Sequence, residues 1–308
     1  MANYITIDGG TTNTRISLVV DGLVVDTLKY GVGARAGMTD GSLLRDTVRE
    51  GITALLEKNQ KTADEIERIL ASGMITSEFG LCPLPHTVAP AGLAELHAVM
   101  QECELKEITN IPFVFMRGVK IDGADLAGLD MMRGEETELM GLFRGAGVYV
   151  LPGSHSKIIT VDEVGRITAF TTMLTGEMIA ALSGHTILKD AVDLSQGSVD
   201  ASYLMQGFSA ADSRGLNAAL FSVRILKNLL SADANACYSY FMGVVLCDEI
   251  KAILATGAKQ IYVGGKKQIK EATVLLLHEV SDAAVITVSD AEVDASSALG
   301  AVRIYETV

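Results

Sequence analysis

The chain contains no tryptophan, and only four cysteines and five prolines in 308 residues. Cys82, Cys103, Cys237 and Cys247 form no CxxC pair and stand near no histidine at zinc-site spacing. That excludes a sequence-encoded zinc site or a disulfide framework and leaves reduced, mostly buried small hydrophobes. Positive charge is scarce as well. Lys and Arg number 25 against 38 Asp and Glu, and the net charge of −13 repels a phosphate backbone, which disfavours nucleic acid as a partner. No apolar run approaches the ~18 residues of a spanning helix. The opening MANYITIDGG has neither the basic flank nor the apolar segment of a secretory signal. No membrane partner is expected, and the cytoplasm is the expected location. What is present is apolar material: a hydrophobic content of 49% with 20% charged residues lets the chain bury a core. At roughly 150 residues per domain, this length predicts two domains.

The first 30 residues alternate as strands do. YITID is followed by a polar GGTTN tip, TRISLVV, the turn pair Asp21-Gly22 and LVVDTLKY, a three-strand meander. Helical spacing of Leu43, Leu44, Val48, Ile52, Leu55 and Leu56 predicts a helix over 42–60. Three of the five prolines fall in LCPLPHTVAP, which predicts an irregular segment outside helix and sheet. The meander pattern returns in GVYVLPGSHSKIITVDEVGRITAFTTM, and aligning Gly9 with Gly153 sets GTTN beside SHSK at an offset of 144 residues. Two polar tips, one in each half of a two-domain chain, suit an anionic ligand held by both. Further on, Ala232–Ala255 reads as a helix, 261–265 as a strand ending in a glycine pair, KEATVLLLHEV as a helix, AVITV as a strand and 291–305 as a last helix. Strands and helices interleave, so the class is α/β.

Three segments carry candidate chemistry. In Asp8 to Arg15, glycines allow close backbone approach, hydroxyls and amides suit phosphate oxygens, and a strand-end acid suits Mg²⁺ held through water. The spacing is neither GxxxxGK[ST] nor GxGxxG, and the same residues also serve as a tight turn. In Met132 to Gly141, Glu135, Glu136 and Glu138 follow Arg133 and Gly134, either as a dipole-complementing helix start or as the base and cation of a phosphoryl transfer. In Gly153 to Lys157, Ser154, His155, Ser156 and Lys157 offer hydroxyls and positive charge to an anion, or solvated residues of a hairpin tip.

The Asp8–Arg15 hairpin, its second copy, the IYVGG turn and the late ASSALGA segment resemble the sugar kinase, heat-shock chaperone and actin superfamily. Within it, MRGEETELMG, LPGSHSK and TGEM in that order are similar to the 2-dehydro-3-deoxygalactonokinase family over essentially the whole chain. The resemblance implies a two-lobe actin-like ATPase (ribonuclease H-like) fold with the active site in the inter-lobe cleft. The first lobe would be 1–133, rejoined by a C-terminal helix at about 295–308, and the second 134–294.

Carried over residue by residue, the resemblance places Asp8 near Mg²⁺ and Gly9, Gly10, Thr11, Thr12 and Asn13 at the ATP γ-phosphate. It gives Gly153 to Lys157 to the β- and γ-phosphates, and Gly264 and Gly265 to the adenosine. Ala298 to Ala301 would belong to the helix crossing back to the first lobe. Pro152 stands where the superfamily commonly has an Asp. Glu135 or Glu136 would be the base, and the choice between them stays open. Arg35, Arg133 and Arg15 are the candidate cations for a carboxylated substrate. The reaction implied is ATP-dependent phosphorylation of 2-dehydro-3-deoxy-D-galactonate on its 6-hydroxyl. The alternatives are a kinase of the same superfamily acting on another sugar or sugar acid, and an actin-like or regulatory nucleotide-binding protein. Paired apolar helices are compatible with a homodimer.

Overall fold

The computed structural model describes residues 2–38, 41–265 and 267–307. Two compact units divide the chain: residues 1–145, 162–169 and 291–308 form the first, and 146–161 with 170–290 the second.

The first unit begins with β1 (Asn3–Gly9), β2 (Thr14–Val20) and β3 (Leu23–Tyr30), turned between β2 and β3 by Asp21 and Gly22 at φ +52° and +75°. Such left-handed pairs match the twist of a two-residue hairpin. Helix α1 (Gly41–Lys58) leads to β4 (Arg68–Gly73), followed by β5 (Thr87–Val88), α2 (Leu93–Ala98), β6 (Gln101–Cys103), β7 (Phe113–Phe115), β8 (Val119–Ile121), β9 (Asp130–Met132) and α3 (Glu135–Leu142). The main sheet has the order β3-β2-β1-β4-β7-β6, with β1, β4 and β7 parallel. On one face, alternate residues Ile5, Ile7, Ile16, Leu18 and Ile69 pack with Leu44, Val48, Ile52 and Leu55, the buried stripe that spaces α1. The expected irregular segment at the three prolines contains a strand after all. Residues Thr87 and Val88 join β8 in a small sheet ordered β5-β8-β9, a pairing open to them because the prolines flank the pair rather than occupy it.

The second unit repeats the plan. Strands β10 (Gly147–Leu151), β11 (Ser156–Val161) and β12 (Ile167–Met173) form the meander, followed by α4 (Thr175–His185), α5 (Ala201–Arg214), α6 (Leu216–Asn228), α7 (Ala234–Ala255), β13 (Gln260–Val263), α8 (Lys267–Val280) and β14 (Ala284–Thr287). Its sheet order β12-β11-β10-β13-β14 matches β3-β2-β1-β4-β7 of the first unit strand for strand. Helix α7 is buried around most of its circumference, which explains why its apolar residues show no single stripe. Gly207 of α5 and Gly243 of α7 let these helices meet, since a Cβ on either would overlap the partner's backbone carbonyl. The last helix, α9 (Asp290–Tyr305), belongs from Ala291 onward with the first unit. There Gly141 and Gly300 allow α3 and α9 to cross backbone to backbone.

The first unit extends to Gly145, so α3 packs within it, whereas the sequence reading begins the second lobe, 134–294, at the start of α3. The cysteines are all free, and Cys237 and Cys247 are buried as expected. Cys82 and Cys103 are only partly covered and touch each other side chain to side chain.

Candidate active site

In the first unit, the parallel strands β1 and β4 end side by side, with Asp8 opposite Ser72 and Gly9 opposite Gly73. A Cβ on Gly9 would stand 2.7 Å from that of Ile75, and Gly73 has φ +83°, where a side chain would crowd the Gly9 carbonyl. Gly134, at φ +114°, brings the start of α3 against Gly73. Three glycines thus seat Asp8 beside the acids of α3. The hairpin tip beyond Asp8 is tight, with Gly10 N–H donating to the Asn13 carbonyl at 2.8 Å, and Thr11, Thr12 and Asn13 face solvent. The GVGARAG segment lies on this tip: Ala34 and Arg35 N–H groups donate to the carbonyls of Gly10 and Thr11 at 3.0 and 2.9 Å.

Asp8 is opposite Arg15 in the β1–β2 ladder, and their side chains pair at 3.8 Å. Burial holds the Asp8 carboxyl above its usual range; Arg15 opposes this and the charge of Glu135 adds to it. Burial, then the charges of Asp8 and Glu135, push Glu138 up to about 8. Asp8 and Glu138 nevertheless keep a solvent-accessible edge, as side chains on the floor of a concavity do. A hollow beside Asp8 is lined by Arg15, Ser17, Ser72 and, from α9, Asp294 and Ser297. The sequence reading counts Glu138 among the acids of this segment but gives it no role, although its i+3 spacing from Glu135 puts both on one helix face.

Glu135 and Glu136 have separated. Glu136 is fully buried, its carboxyl oxygens accept the Gly134 N–H at 2.8 and 2.9 Å, and the Thr137 hydroxyl donates to it at 3.2 Å. Burial first, and the Glu135 charge second, push Glu136 up to about 8. Glu135 is only half-buried, accepts the Arg133 N–H at 3.1 Å, and raises Asp8, Glu136 and Glu138 alike, which places it centrally among the acids.

Arg133 was expected to offer its charge to a substrate. Its guanidinium instead donates to the Thr76 carbonyl and hydroxyl at 2.9 and 2.6 Å, to the Leu84 carbonyl at 3.0 Å and to His86 Nδ1 at 3.3 Å. It braces the segment from 76 to 86. Arg35 is exposed near the first hairpin tip.

In the second unit, the tip turns at Gly153 to His155, where Ser154 and His155 are exposed. Ser156 and Lys157 begin β11 and are buried, so they do not present themselves at the tip as the sequence suggested. TGEM forms the first turn of α4 and packs on the tip: a Cβ on Gly176 would overlap the Gly153 carbonyl, Glu177 N–H donates to the Ser154 carbonyl at 3.1 Å, and Glu177 meets His155 at 3.1 Å. The α4 N-terminus therefore stands beside the hairpin, with its Glu177 amide taken by the Ser154 carbonyl. Beneath them is Glu249 of α7, fully buried, which accepts the Thr175 hydroxyl and bonds Ser156; burial raises its carboxyl above the usual range. Glu249 went unnoticed in the sequence because it sits in an otherwise apolar helix. Gly264 N–H donates to the Val150 carbonyl at 2.9 Å. Gly265, at φ +73°, leaves no room for a side chain because a Cβ would overlap Pro152. The space after β13 is thus taken by the start of the second hairpin.

Two repeated units, each a meander extended by parallel strands and each with a polar hairpin tip, define the class: the fold is that of the actin-like ATPases and sugar kinases. A dehydratase activator from Clostridium difficile, solved with bound ADPNP, shares the fold with a TM-score of 0.53, 12% identity and coverage of 98% of this chain and 93% of that one. A solved structure from Sinorhizobium meliloti, described as a candidate 2-dehydro-3-deoxygalactonokinase, superposes with a TM-score of 0.78 at 21% identity, over 99% of this chain and all of that one. The sequence profile of the 2-keto-3-deoxy-galactonokinase family matches residues 8–300, and the chain belongs to that family. The 2-dehydro-3-deoxygalactonokinase of Escherichia coli K12 is 26% identical over 259 residues, covering 82% of this chain and 80% of that protein. A Rhizobium meliloti protein given the same designation provisionally is 30% identical over 196 residues, covering 61% of this chain and 59% of its own.

Proposed function

We propose that the protein phosphorylates 2-dehydro-3-deoxy-D-galactonate on its 6-hydroxyl with ATP, a step of galactonate breakdown. The observation that carries this reading, beyond family membership, is the cluster formed by Asp8, Glu135 and Glu138 at the ends of β1 and β4. Ligands of α/β folds bind beyond the C-terminal ends of parallel strands, and phosphoryl transfer needs an acid for the cation and a base for the hydroxyl at such a place.

Glu135 is the base in this reading. It is the half-buried member of its pair, whereas both Glu136 oxygens are engaged by Gly134, and Glu136 acts by tying the start of α3 to the Arg133–Gly134 turn. Asp8 meets the cation. The donor chemistry fits Mg²⁺: Asp8 offers a single partly exposed carboxylate next to the Thr11–Asn13 tip, and Mg²⁺ commonly takes one or two carboxylates, keeps several waters and shares substrate phosphates. When bound it neutralises charge on the transferring phosphoryl group. Burial first raises both Asp8 and Glu138, and the neighbouring charge of Glu135 adds to it, a repulsion that a divalent cation relieves.

The Thr11–Asn13 tip and the Gly153–His155 tip each supply hydroxyls and amides for phosphate oxygens, the second helped by the α4 N-terminus. Gly264 and Gly265 act on the nucleotide through the hairpin they support. Little covalent work remains for the protein: it orients the hydroxyl in line with the phosphorus, accepts its proton at the Glu135 carboxylate and excludes water. ADP release in a coupled assay tests the reading. Release should depend on the sugar acid; release indifferent to any sugar or sugar acid would favour a regulatory nucleotide-binding protein.

A further inference from the structure

Arg117 stands two residues past the last ladder residue of β7, the third parallel strand of the first unit's sheet. The Met116 N–H still donates to the Ala71 carbonyl at 2.9 Å, so the β7 chain is held to β4 up to the residue before Arg117. The side chain is half-buried, and its Nε–H is shielded from solvent and finds no acceptor among the described residues. Three other guanidinium groups of this unit are differently placed: Arg15 faces Asp8, Arg133 is spent on Thr76, Leu84 and His86, and Arg35 is exposed. A shielded donor without a partner is costly, and native proteins leave one mainly where a ligand or water completes it.

We propose that Arg117 binds the carboxylate of the sugar-acid substrate; this rests on the sugar-acid kinase reading above and names the residue that recognises the acid. A guanidinium matches a carboxylate through two parallel N–H bonds, and the absence of an internal bond at Nε leaves Arg117 able to turn its Nε–Nη edge toward a ligand without breaking one there. The spacing suits one molecule. Two strand intervals separate the ends of β1 and β7, roughly 10 Å. A six-carbon chain with bonds of about 1.5 Å spans roughly 6 Å, and the Arg117 side chain covers the remainder. The reacting hydroxyl thus lies at the Asp8 end while the carboxylate lies at the β7 end.

The test compares 2-dehydro-3-deoxy-D-galactonate with its neutral carboxamide on the wild-type protein, Arg117→Gln and Arg117→Lys. Arg117→Gln should raise KM for the acid by about 10- to 100-fold, the change that one charge-assisted hydrogen bond corresponds to. KM for ATP should stay unchanged, Tm should not fall because no internal bond at Nε is lost, and the preference for acid over carboxamide should collapse, with Arg117→Lys recovering part of it. If the wild-type protein itself shows no such preference, the sugar-acid reading fails and Arg117 with it. If the wild-type protein prefers the acid and Arg117→Gln keeps that preference, the assignment of Arg117 alone is overturned. A fall in Tm together with higher KM for both substrates also overturns it, in favour of a structural role.

Discussion

At the scale of single residues, the acids of the first unit divide by what holds them. Asp8 loses no structural hydrogen bond when its charge is removed, and its carboxyl is already disfavoured as an anion by burial. Asp8→Asn should therefore cut kcat by at least about 10²-fold, as loss of preorganised charge stabilisation does, while Tm stays level or rises. Near-normal turnover would return the first hairpin to a plain turn. Glu135→Gln should lower kcat by about 10²–10⁴-fold, the usual loss for a general base. Glu136→Gln should leave kcat within a few-fold, because an amide oxygen still accepts the Gly134 N–H.

Glu136→Gln should change the pH dependence of stability instead. Glu136 and Glu138 titrate near 8 in the folded chain, against an ordinary glutamate value of 4.5. The folded state thus binds more protons, so their contribution to stability is full below about 4.5 and is lost as pH rises through about 8. Denaturant unfolding followed from pH 5 to 8.5 should show a declining free energy, and Glu136→Gln should flatten the decline. A slope identical to wild type would remove Glu136 from this account.

At the scale of elements, the second hairpin, the first turn of α4 and the β13–α8 turn act as one piece, because Gly176 and Gly265 each touch the hairpin backbone with no space left. Gly265→Val should displace Pro152 and Gly153 and raise KM for ATP more than KM for the sugar acid; equal rises in both would indicate a general packing defect. Elements of this kind differ in how far the sequence reveals them. Both meanders were legible because two-residue periodicity and turn residues such as Asp21-Gly22 are local signals, and so were α1 and α9. The two-residue strand β5 was not, because its pairing with β8 is long-range and prolines surround it. Asp8 and the pair Glu135 and Glu136 were legible as acids beside glycines, with the choice within the pair open. The inward turn of Glu136, the engagement of Arg133 by Thr76 and Leu84, and the burial of Ser156, Lys157 and Glu249 depend on packing between distant segments, which no local pattern records.

At the scale of the whole molecule, a net charge of −13 offers no general attraction to an anionic substrate, so recognition of a sugar acid has to come from individual cations placed at the site. The same field is consistent with the absence of any sequence signal for nucleic-acid binding. Among the described residues no helix is long and apolar enough to cross a membrane, and the partners that the family implies are small molecules. A site built to pair a carboxylate rejects a substrate that lacks one, because its own charge is then left unpaired. The central claim is therefore tested most directly by the ratio of kcat/KM for 2-dehydro-3-deoxy-D-galactonate to that for galactose or glucose, with the phosphorylated position read by ³¹P NMR. The account predicts a ratio well above ten and a phosphate on the 6-oxygen; neutral hexoses turned over within tenfold of the acid would contradict it.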